Sequence, residues 1–532
     1  MSIAAPEAEA FTEAEQTLLQ PYFSNLHGHV FALTNLPETV KGALFARYSR
    51  SAKSLRRLFL DEFAGNLEAG AGQGTAVGVE RAEKLYARVF NDYGDDSVAQ
   101  LGGAHVACEY VSNVLTKVLE WGRLMAYLEQ STRYVPYTDK LHGRWRYHVP
   151  AEIAEPLRSR YAAVMDRTFE VYASLIEPMQ RYFAARYPKA AQDSEGVHRA
   201  AIRAKALDTL RGMLPAATQS NVGIYGTGQA YEALLLRMRA HPLEEVRRCG
   251  DRILAELRKV IPAFLIRVDQ PERGGRWSDY LASARESTAR EARRLLGDVD
   301  PEPRDEVTLT DFDPDGEIKI VAAALYAASD LPDDQLLAAA RAMSAADRAA
   351  VLRAYVGARA NRRHRPGRAF ERTAYRFDVL TDYGAFRDLQ RHRLLTLEWQ
   401  PLSTRHGYNE PDALGDAGVL EPWTRVMDAS AELYETLRAA GLDAAAPYAV
   451  AMAFRVRFYM EMNAREAMHL IELRTAPQGH PAYRRVCQQM HRLIAERAGH
   501  TAVAEAMQFA DHSEVELERL KAERELEKKR SV

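Results

Sequence analysis

One polar cluster in the first half of the chain combines side chains that can bind a phosphorylated ligand. It runs from Glu129 to Tyr134, EQSTRY, and follows the amphipathic stretch VSNVLTKVLEWGRLMAYL. The hydroxyls of Ser131 and Thr132 can donate or accept hydrogen bonds, and the planar guanidinium of Arg133 can hold a phosphate or a carboxylate through two of them. The pattern predicts a ligand-binding segment at the end of a helix, with a capped helix end and surface polar residues as the alternative.

A second cluster, Arg391-His392-Arg393, closes the run YRFDVLTDYGAFRDLQRHR. Two arginines on either side of a histidine concentrate positive charge beside a group that can donate or accept a proton. A phosphate or an electron-rich ring suits this cluster as a ligand, and a solvated basic turn is the alternative.

The third cluster is the segment NAREAMHLIELR at residues 463–474. In a helix, Arg465 and His469 are four residues apart and share a face, with Asn463 near the start of the helix. Their donors can then converge on one ligand, and an ordinary polar surface helix is the alternative.

The elements that carry these clusters recur along the chain. Three segments of the first half are echoed in the same order in the second half: 30–49 in 307–329, 124–134 in 394–408, and 225–237 in 462–474. The first echo has a pattern of strand, turn and helix in both copies. A period above 200 residues indicates a duplicated domain rather than a solenoid.

The duplication predicts four regions. We expect one domain at residues 23–265, a linker with a helix at 266–304, a second domain at 305–512, and a charged helical tail at 513–532 that is a solvated face or an oligomer contact. Apolar residues at three- and four-residue spacing predict long helices at 115–130, 157–187 and 243–260, and strand candidates are short. The expected fold class is α+β, with helices beside a small antiparallel sheet in each domain.

Composition narrows the classes of function. Among 532 residues, 71 Lys and Arg balance 73 Asp and Glu, which argues against a nucleic acid or an anionic membrane as a partner. The three cysteines form no CxxC pair, no leader or long apolar run is present, and no metal-binding motif such as HExxH occurs. We therefore expect a cytoplasmic protein without a metal, in which the glycine-rich stretch at 70–78 is a flexible loop.

Together, the clusters resemble the flavin-dependent thymidylate synthases, whose signature is RHR, a Ser-containing spacer and an NExSxRY-like segment. RHR is literal at Arg391-His392-Arg393, with Thr396 where the family carries Ser. The first half keeps the closing part of the signature in Glu129, Ser131, Arg133 and Tyr134, but has Trp121-Gly122-Arg123 in place of RHR.

Other family motifs are divided between the halves in the same way. The GHxSxxEH segment has a counterpart at 94–101 that lacks both histidines and the glutamate, and a weaker one at 364–371. Of the ARxxLP, NAR and LR motifs, the first half keeps residues 211–215 and Leu236-Arg237, but has Gly226 and Gly228 in place of Asn and Arg. The second half keeps Asn463, Arg465, Leu473 and Arg474, and lacks the Arg of ARxxLP near Tyr448.

The resemblance implies a helix-rich α+β fold and a tetramer whose sites lie between subunits. It implies that deoxyuridylate (dUMP) is bound by Glu129, Ser131, Arg133, Arg211, Arg391 and Arg474, of which Ser131, Arg391 and Arg474 are also the catalytic group. It implies that FAD is bound by Arg391, His392, Arg393, Asn463, Arg465 and His469. Because the two partial sets are complementary, we hypothesise one composite site between unlike halves, and a homodimer that mimics the tetramer.

The resemblance also implies a reaction. The enzyme would transfer the methylene group of methylenetetrahydrofolate to C5 of dUMP, with FAD reduced by NADPH. Two alternatives stay open at this point. The altered spacer at 397–402 permits a diverged flavin-dependent paralogue that modifies another nucleotide, and the losses in GHxSxxEH permit a catalytically inactive nucleotide-binding homologue.

Overall fold

A computed structural model of the chain describes residues 9–64, 100–297 and 299–530. The predicted loop at 70–78 and residues 94–99 of the GHxSxxEH-like segment lie outside these ranges. Within them, the seven strands are β1 Gly103–Ser112, β2 Met125–Glu129, β3 Gln219–Thr227, β4 Val307–Phe312, β5 Ala374–Asp382, β6 Thr396–Trp399 and β7 Arg455–Asn463. They form a three-stranded sheet in the order β1-β3-β2 and a four-stranded sheet in the order β4-β5-β7-β6.

Helices make up most of the described chain. Those of the first half are α1 Glu13–Leu19, α2 Glu38–Tyr48, α3 Leu55–Glu62, α4 Asn113–Leu119, α5 Leu157–Arg186, α6 Glu195–Leu210, α7 Gly228–Arg239, α8 Glu244–Leu257 and α9 Arg276–Leu296. Those of the second half are α10 Gly316–Tyr326, α11 Asp333–Ala342, α12 Ala345–Val356, α13 Tyr383–Leu389, α14 Ala413–Asp416, α15 Leu420–Ala439, α16 Ala464–Arg474, α17 Pro481–Glu496, α18 Thr501–Ala506 and α19 Leu520–Arg530. The architecture is α+β, and no helix in the described ranges is long and apolar enough to cross a membrane.

Contacts between Cα atoms divide the chain into two compact units. The first comprises residues 1–109, 124–128 and 222–298. The second, larger unit comprises residues 110–123, 129–221 and 299–532. The larger unit therefore contains segments of both predicted copies, and all the predicted site residues belong to it.

The four-stranded sheet positions two of the clusters. Along β7, Val456, Phe458, Met460 and Met462 are buried and alternate with partly exposed residues, as expected of a strand with one face on the core. Strand β5 pairs with β7 in antiparallel register from Ala374↔Asn463 to Asp382↔Arg455.

Both strands run directly into a helix whose first turn is capped by a strand residue. Asp382, at the end of β5, accepts a hydrogen bond from the backbone N–H of Ala385 and starts α13. Asn463, at the end of β7, accepts one from the backbone N–H of Glu466 and starts α16. The cluster at 391–393 follows α13, and the third cluster is α16 itself.

The predicted helices at 157–187 and 243–260 are confirmed as α5 and α8. The prediction of one helix at 115–130 is wrong, because α4 ends at Leu119 and the chain turns at Gly122 into β2. Residues 129–134 therefore follow a strand and not a helix. Strand β2 is completed by β3, about 90 residues later, and no local pattern at 115–130 signals that partner.

The strand expected at the start of the 30–49 segment is not formed as a ladder. Leu33 makes a single bridge to Phe23, whereas the equivalent residues at 307–312 form β4 and pair with β5. In both copies the predicted helix follows, as α2 and α10.

Candidate active site

Within the larger unit, the segment that begins at Arg211 pairs with its counterpart near Tyr448. The backbone N–H of Ala216 donates to the carbonyl of Val450 at 2.8 Å, and that of Ala453 donates to the carbonyl of Gly212 at 2.8 Å. Residue 212 must be small, because a Cβ there would lie 2.9 Å from Cη2 of Trp423. The pairing places Arg211 beside α13 and joins the two predicted copies within one chain.

Glu129 connects the first cluster to the second. Its buried carboxylate accepts hydrogen bonds from Arg387 at 2.7 Å and from Arg391 at 2.9 Å, and Lys117 Nζ lies 3.4 Å away. Burial alone would raise the pKa of Glu129, but Arg387, Lys117 and Arg391 together hold it far below its ordinary value. Glu129 is therefore an anion that fixes Arg391.

The Arg133 guanidinium is also held by the protein. It donates two hydrogen bonds to the Asp208 carboxylate, at 2.8 and 2.6 Å, and one to the hydroxyl of Tyr483 at 3.0 Å. Its backbone N–H donates to Ser131 Oγ at 3.2 Å. Any ligand of Arg133 must share this guanidinium with Asp208.

Asp388 lies where the predicted nucleotide-binding arginines converge. Its carboxylate oxygens are 3.5 Å from Arg211, 3.8 Å from Arg391 and 3.9 Å from Arg474, and Arg133 adds to the positive field around it. Burial acts to raise the pKa of Asp388, yet these four arginines lower it far below its ordinary value. One carboxylate is thus shared by three arginines, Arg211, Arg391 and Arg474, at distances longer than those of ideal ion pairs.

The site has more positive than negative side chains. Six cations are Lys117, Arg133, Arg211, Arg387, Arg391 and Arg474, and five carboxyl groups are Glu120, Glu129, Asp208, Asp382 and Asp388. Three buried donors, Nη2 of Arg211, Nε of Arg387 and Nε of Arg391, make no hydrogen bond within the described part of the chain. An excess of positive charge with unused donors suits a dianion such as a phosphate monoester.

The flavin-side residues of the prediction lie around His392. His392 Nδ1 is 3.1 Å from Glu466 Oε1, and Arg474 Nε donates to His392 Nε2 at 3.0 Å. His469 lies beside this pair, with ring centroids of the two histidines 5.4 Å apart. Burial lowers the pKa of His392 well below its ordinary value and that of His469 to about 4, so both rings are neutral at pH 7.

His392, Glu466 and His469 have the composition of a metal-binding group, with ligand atoms within 4.8 Å of one another. The hydrogen bonds argue against a metal there. Because Arg474 Nε–H can only donate, His392 Nε2 must accept, and the proton of the neutral ring is on Nδ1, the atom that faces Glu466. A metal at Nδ1 would require the imidazolate, and the surrounding arginines oppose a further cation.

The remaining members of the predicted FAD group are placed less closely together. Arg465 donates to the carbonyl of Pro366 at 2.9 Å and lies 3.6 Å from Glu371. The Asn463 side chain caps α16. Arg393 is exposed, and with Arg365 and Arg465 it contributes positive charge around Glu466.

The counterpart of RHR in the first half is used differently. The indole N–H of Trp121 donates to the carbonyl of Leu397 at 3.2 Å, and Arg123 donates to Thr396 Oγ1 at 3.1 Å. Trp121 also meets Trp399 edge-on, with centroids 5.8 Å apart. This segment packs against β6, and Thr396, predicted to replace the family's serine, accepts from Arg123.

Comparison with known proteins decides the family. The model of the thymidylate synthase complementing protein family, Thy1, matches residues 43–263 and again residues 308–499. The chain belongs to this family. The resemblance inferred from RHR, EQSTRY and NAR with LR is confirmed, and the family model matches once in each predicted copy.

Some relatives of this Thy1 chain align with it over nearly its whole length. A UPF0159 protein of Chlamydia muridarum is 37% identical over 520 residues, covering 96% of this chain and 98% of the relative. A UPF0159 protein of Thermoplasma acidophilum is 30% identical over 517 residues, covering 91% and 97%. Among solved structures, a UMP/dUMP methylase PolB from Streptomyces cacaoi bound with 5-Br dUMP is 20% identical, covers 39% of this chain and 97% of its own, and has a TM-score of 0.30.

Several site residues of this Thy1 chain were missed by sequence reasoning. Asp388 and Arg387 precede Arg391 by three and four residues, and Asp208 precedes Arg211 by three. The signal that could have found all three is their spacing of three or four residues from the predicted arginines, which places them on the same helix face. Glu466 lies inside the third cluster and was passed over as an ordinary polar residue.

Proposed function

We propose that this Thy1 chain is an FAD-dependent thymidylate synthase that methylates dUMP. The proposed overall reaction converts dUMP, methylenetetrahydrofolate and NADPH with one proton into thymidylate, tetrahydrofolate and NADP⁺. The observation that carries the proposal is the convergence of arginines from both family-matched segments on Asp388, with positive charge in excess.

In the proposed complex, the unused donors of the site bind the phosphate of dUMP. Nη2 of Arg211 is buried and unpaired within the described residues, so phosphate oxygens would complete its hydrogen bonding without displacing a protein partner. Arg133 pairs with Asp208, and its backbone N–H donates to Ser131 Oγ. Arg474 would stabilise negative charge that develops on the pyrimidine ring during transfer.

The residues on the flavin side fit the diphosphate of FAD. Arg362, Arg365, Arg393 and Arg465 all contribute positive charge around Glu466 and His469, and arginine forks match phosphate oxygens. A bound FAD would supply the hydride that completes the methyl group, after its own reduction by NADPH. The protein would supply the arginines that bind the diphosphate and would orient both substrates. Two chains would associate as a homodimer.

The test begins with the purified protein and its absorbance spectrum with added FAD. We expect flavin absorbance to remain with the protein after gel filtration, and tritium to be released from C5-labelled dUMP in the presence of methylenetetrahydrofolate and NADPH. Arg391→Gln should abolish tritium release. Arg425→Gln is the matched control, because Arg425 is exposed on α15 and pairs with Glu421 in its own helix.

Two results contradict the proposal. A protein that retains no flavin at any FAD concentration cannot perform this chemistry. Retained flavin with no tritium release from dUMP would instead favour the diverged paralogue, whose nucleotide could be sought by the same assay with other labelled pyrimidine nucleotides.

A further inference from the structure

Glu466, His392 and Arg474 form a continuous hydrogen-bonded row that ends at the arginine cluster. Glu466 and His392 are both buried, with 4% and 7% of their surfaces exposed. The row runs from Glu466 Oε1 to His392 Nδ1 at 3.1 Å, and from His392 Nε2 to Arg474 Nε at 3.0 Å. The far end of the Arg474 guanidinium, Nη1, lies 3.9 Å from Asp388.

The direction of every hydrogen bond in this row is determined. A guanidinium N–H can only donate, so His392 Nε2 carries the lone pair and the proton is on Nδ1. The acceptor for that proton is Glu466 Oε1. The backbone N–H of Glu466 in turn donates to the side-chain oxygen of Asn463. Without an acceptor at position 466, the buried Nδ1–H would have no partner, which weakens the preference for this tautomer although Arg474 still favours it. The alternative tautomer would direct an N–H against the N–H of Arg474.

The surroundings of the row hold His392 neutral. Arg474 and Arg365 add positive charge near the ring, and His469, which packs beside it, is itself neutral at pH 7. Glu466 faces His469, Arg365, Arg465 and Arg393. The row therefore acts by orienting Arg474 and not by moving a proton through His392.

We propose that Glu466 is a positioning residue, which fixes the tautomer of His392 and through it aims the Arg474 guanidinium at the pyrimidine of the bound nucleotide. The proposal rests on the proposed function in one respect, the role of Arg474 in stabilising charge on that ring. Nothing in the predicted FAD or dUMP sets includes Glu466.

The experiment compares Glu466→Gln with Glu466→Ala. A glutamine keeps an oxygen that accepts from His392 Nδ1–H, whereas an alanine removes it. The tautomer of His392 is measured by ¹⁵N NMR on histidine-labelled protein, with the signals of His392 assigned from their loss in His392→Gln. Glu472→Gln is the control, because Glu472 is an equally buried carboxylate of α16 that pairs with Arg359 instead.

We expect the wild type and Glu466→Gln to show the Nδ1–H tautomer, and Glu466→Ala to show a smaller fraction of it. We expect kcat for dUMP to fall on the order of 100-fold in Glu466→Ala with a much smaller change in KM, because misaligned groups lose transition-state contacts first. Glu472→Gln should lower thermal stability while leaving the tautomer and kcat near those of the wild type.

A fraction of the Nδ1–H tautomer in Glu466→Ala equal to that of the wild type, or an unchanged kcat, overturns the positioning role. Failure of the proposed function is recognised separately, because the wild type itself would then turn over no dUMP. In that case the NMR comparison still decides whether Glu466 fixes His392.

Discussion

Replacing Asp388 by asparagine should have two effects of opposite sign. The carboxylate is the shared partner of Arg211, Arg391 and Arg474, at 3.5 to 3.9 Å. Asparagine keeps the volume and removes the charge. The fold should lose stability, because the buried Arg211 and the partly buried Arg391 and Arg474 lose their shared counter-ion. Anions should bind more tightly, because the same arginines become available.

The magnitudes follow from the geometry. Removing one partner of a buried ion pair costs about 3–5 kcal/mol, and we expect the free energy of unfolding to fall by about that amount. An anion held by the same guanidinium groups lies within roughly 7 Å of the carboxylate, where repulsion between unit charges is about 2 kcal/mol at an effective dielectric of 20. Asp388→Asn should therefore bind inorganic phosphate on the order of 10-fold more tightly or better.

The assay is urea unfolding with and without phosphate, together with calorimetric titration of phosphate. Asp428→Asn is the matched control, because Asp428 is exposed on α15 and its replacement changes the net charge equally. Phosphate should restore part of the stability that Asp388→Asn loses, since a ligand that binds only the folded state stabilises it. A variant as stable as wild type, or one that binds phosphate no better, would refute this account of the cluster.

Three further perturbations test the packing and charges around the site. Glu129→Gln leaves Arg387, Arg391 and Lys117 without their shared carboxylate, and should lower the free energy of unfolding by about 3–5 kcal/mol in a urea titration; an unaltered midpoint would contradict the role of Glu129. His480 is partly buried, and its pKa is lowered to about 3 because desolvation and Arg211 oppose its charged form, so stability that is complete above pH 6.5 is lost as the pH falls towards 3. His480→Gln should remove about 1.4 kcal/mol per pH unit from the slope of unfolding free energy between pH 6 and 4, and equal slopes in both proteins would exclude this contribution. Gly212→Ala would bring a Cβ to 2.9 Å from Trp423 and should cost about 1–3 kcal/mol by thermal unfolding, unlike Gly415→Ala, where no atom lies within 4 Å.

Local patterns in the sequence were enough for the elements whose signals are local. The apolar spacing of 157–187 and of 243–260 predicts α5 and α8, and the third cluster is a helix capped by Asn463, as its residues indicate. The prediction at 115–130 failed because the segment changes from helix to strand at Gly122, and its strand is completed by β3. A partner so distant in sequence leaves no trace in the periodicity of the strand.

The site residues likewise fall into those with a local sequence signal and those without one. Arginines could be selected from the sequence because their family motifs are short and local. Helical spacing alone does not single out their counter-ions, because Asp388 and Asp208 differ from other carboxylates only once Arg211 and Arg391, 180 residues apart, are brought to one place. Conversely, Arg133 is predicted to bind dUMP, and the structure adds the bidentate contact with Asp208 that a ligand must share.

The central claim is that one chain builds the site from both family-matched segments, and complementation tests it most directly. Arg211→Gln and Arg391→Gln are each expected to lose dUMP binding in calorimetry, because each removes one of the arginines around Asp388. The two variants are then co-expressed and purified together. We predict that the mixture also fails to bind dUMP, because every site within a chain still lacks one arginine. Recovery of dUMP binding in the mixture would show that the two arginines act from different chains, and would contradict the claim.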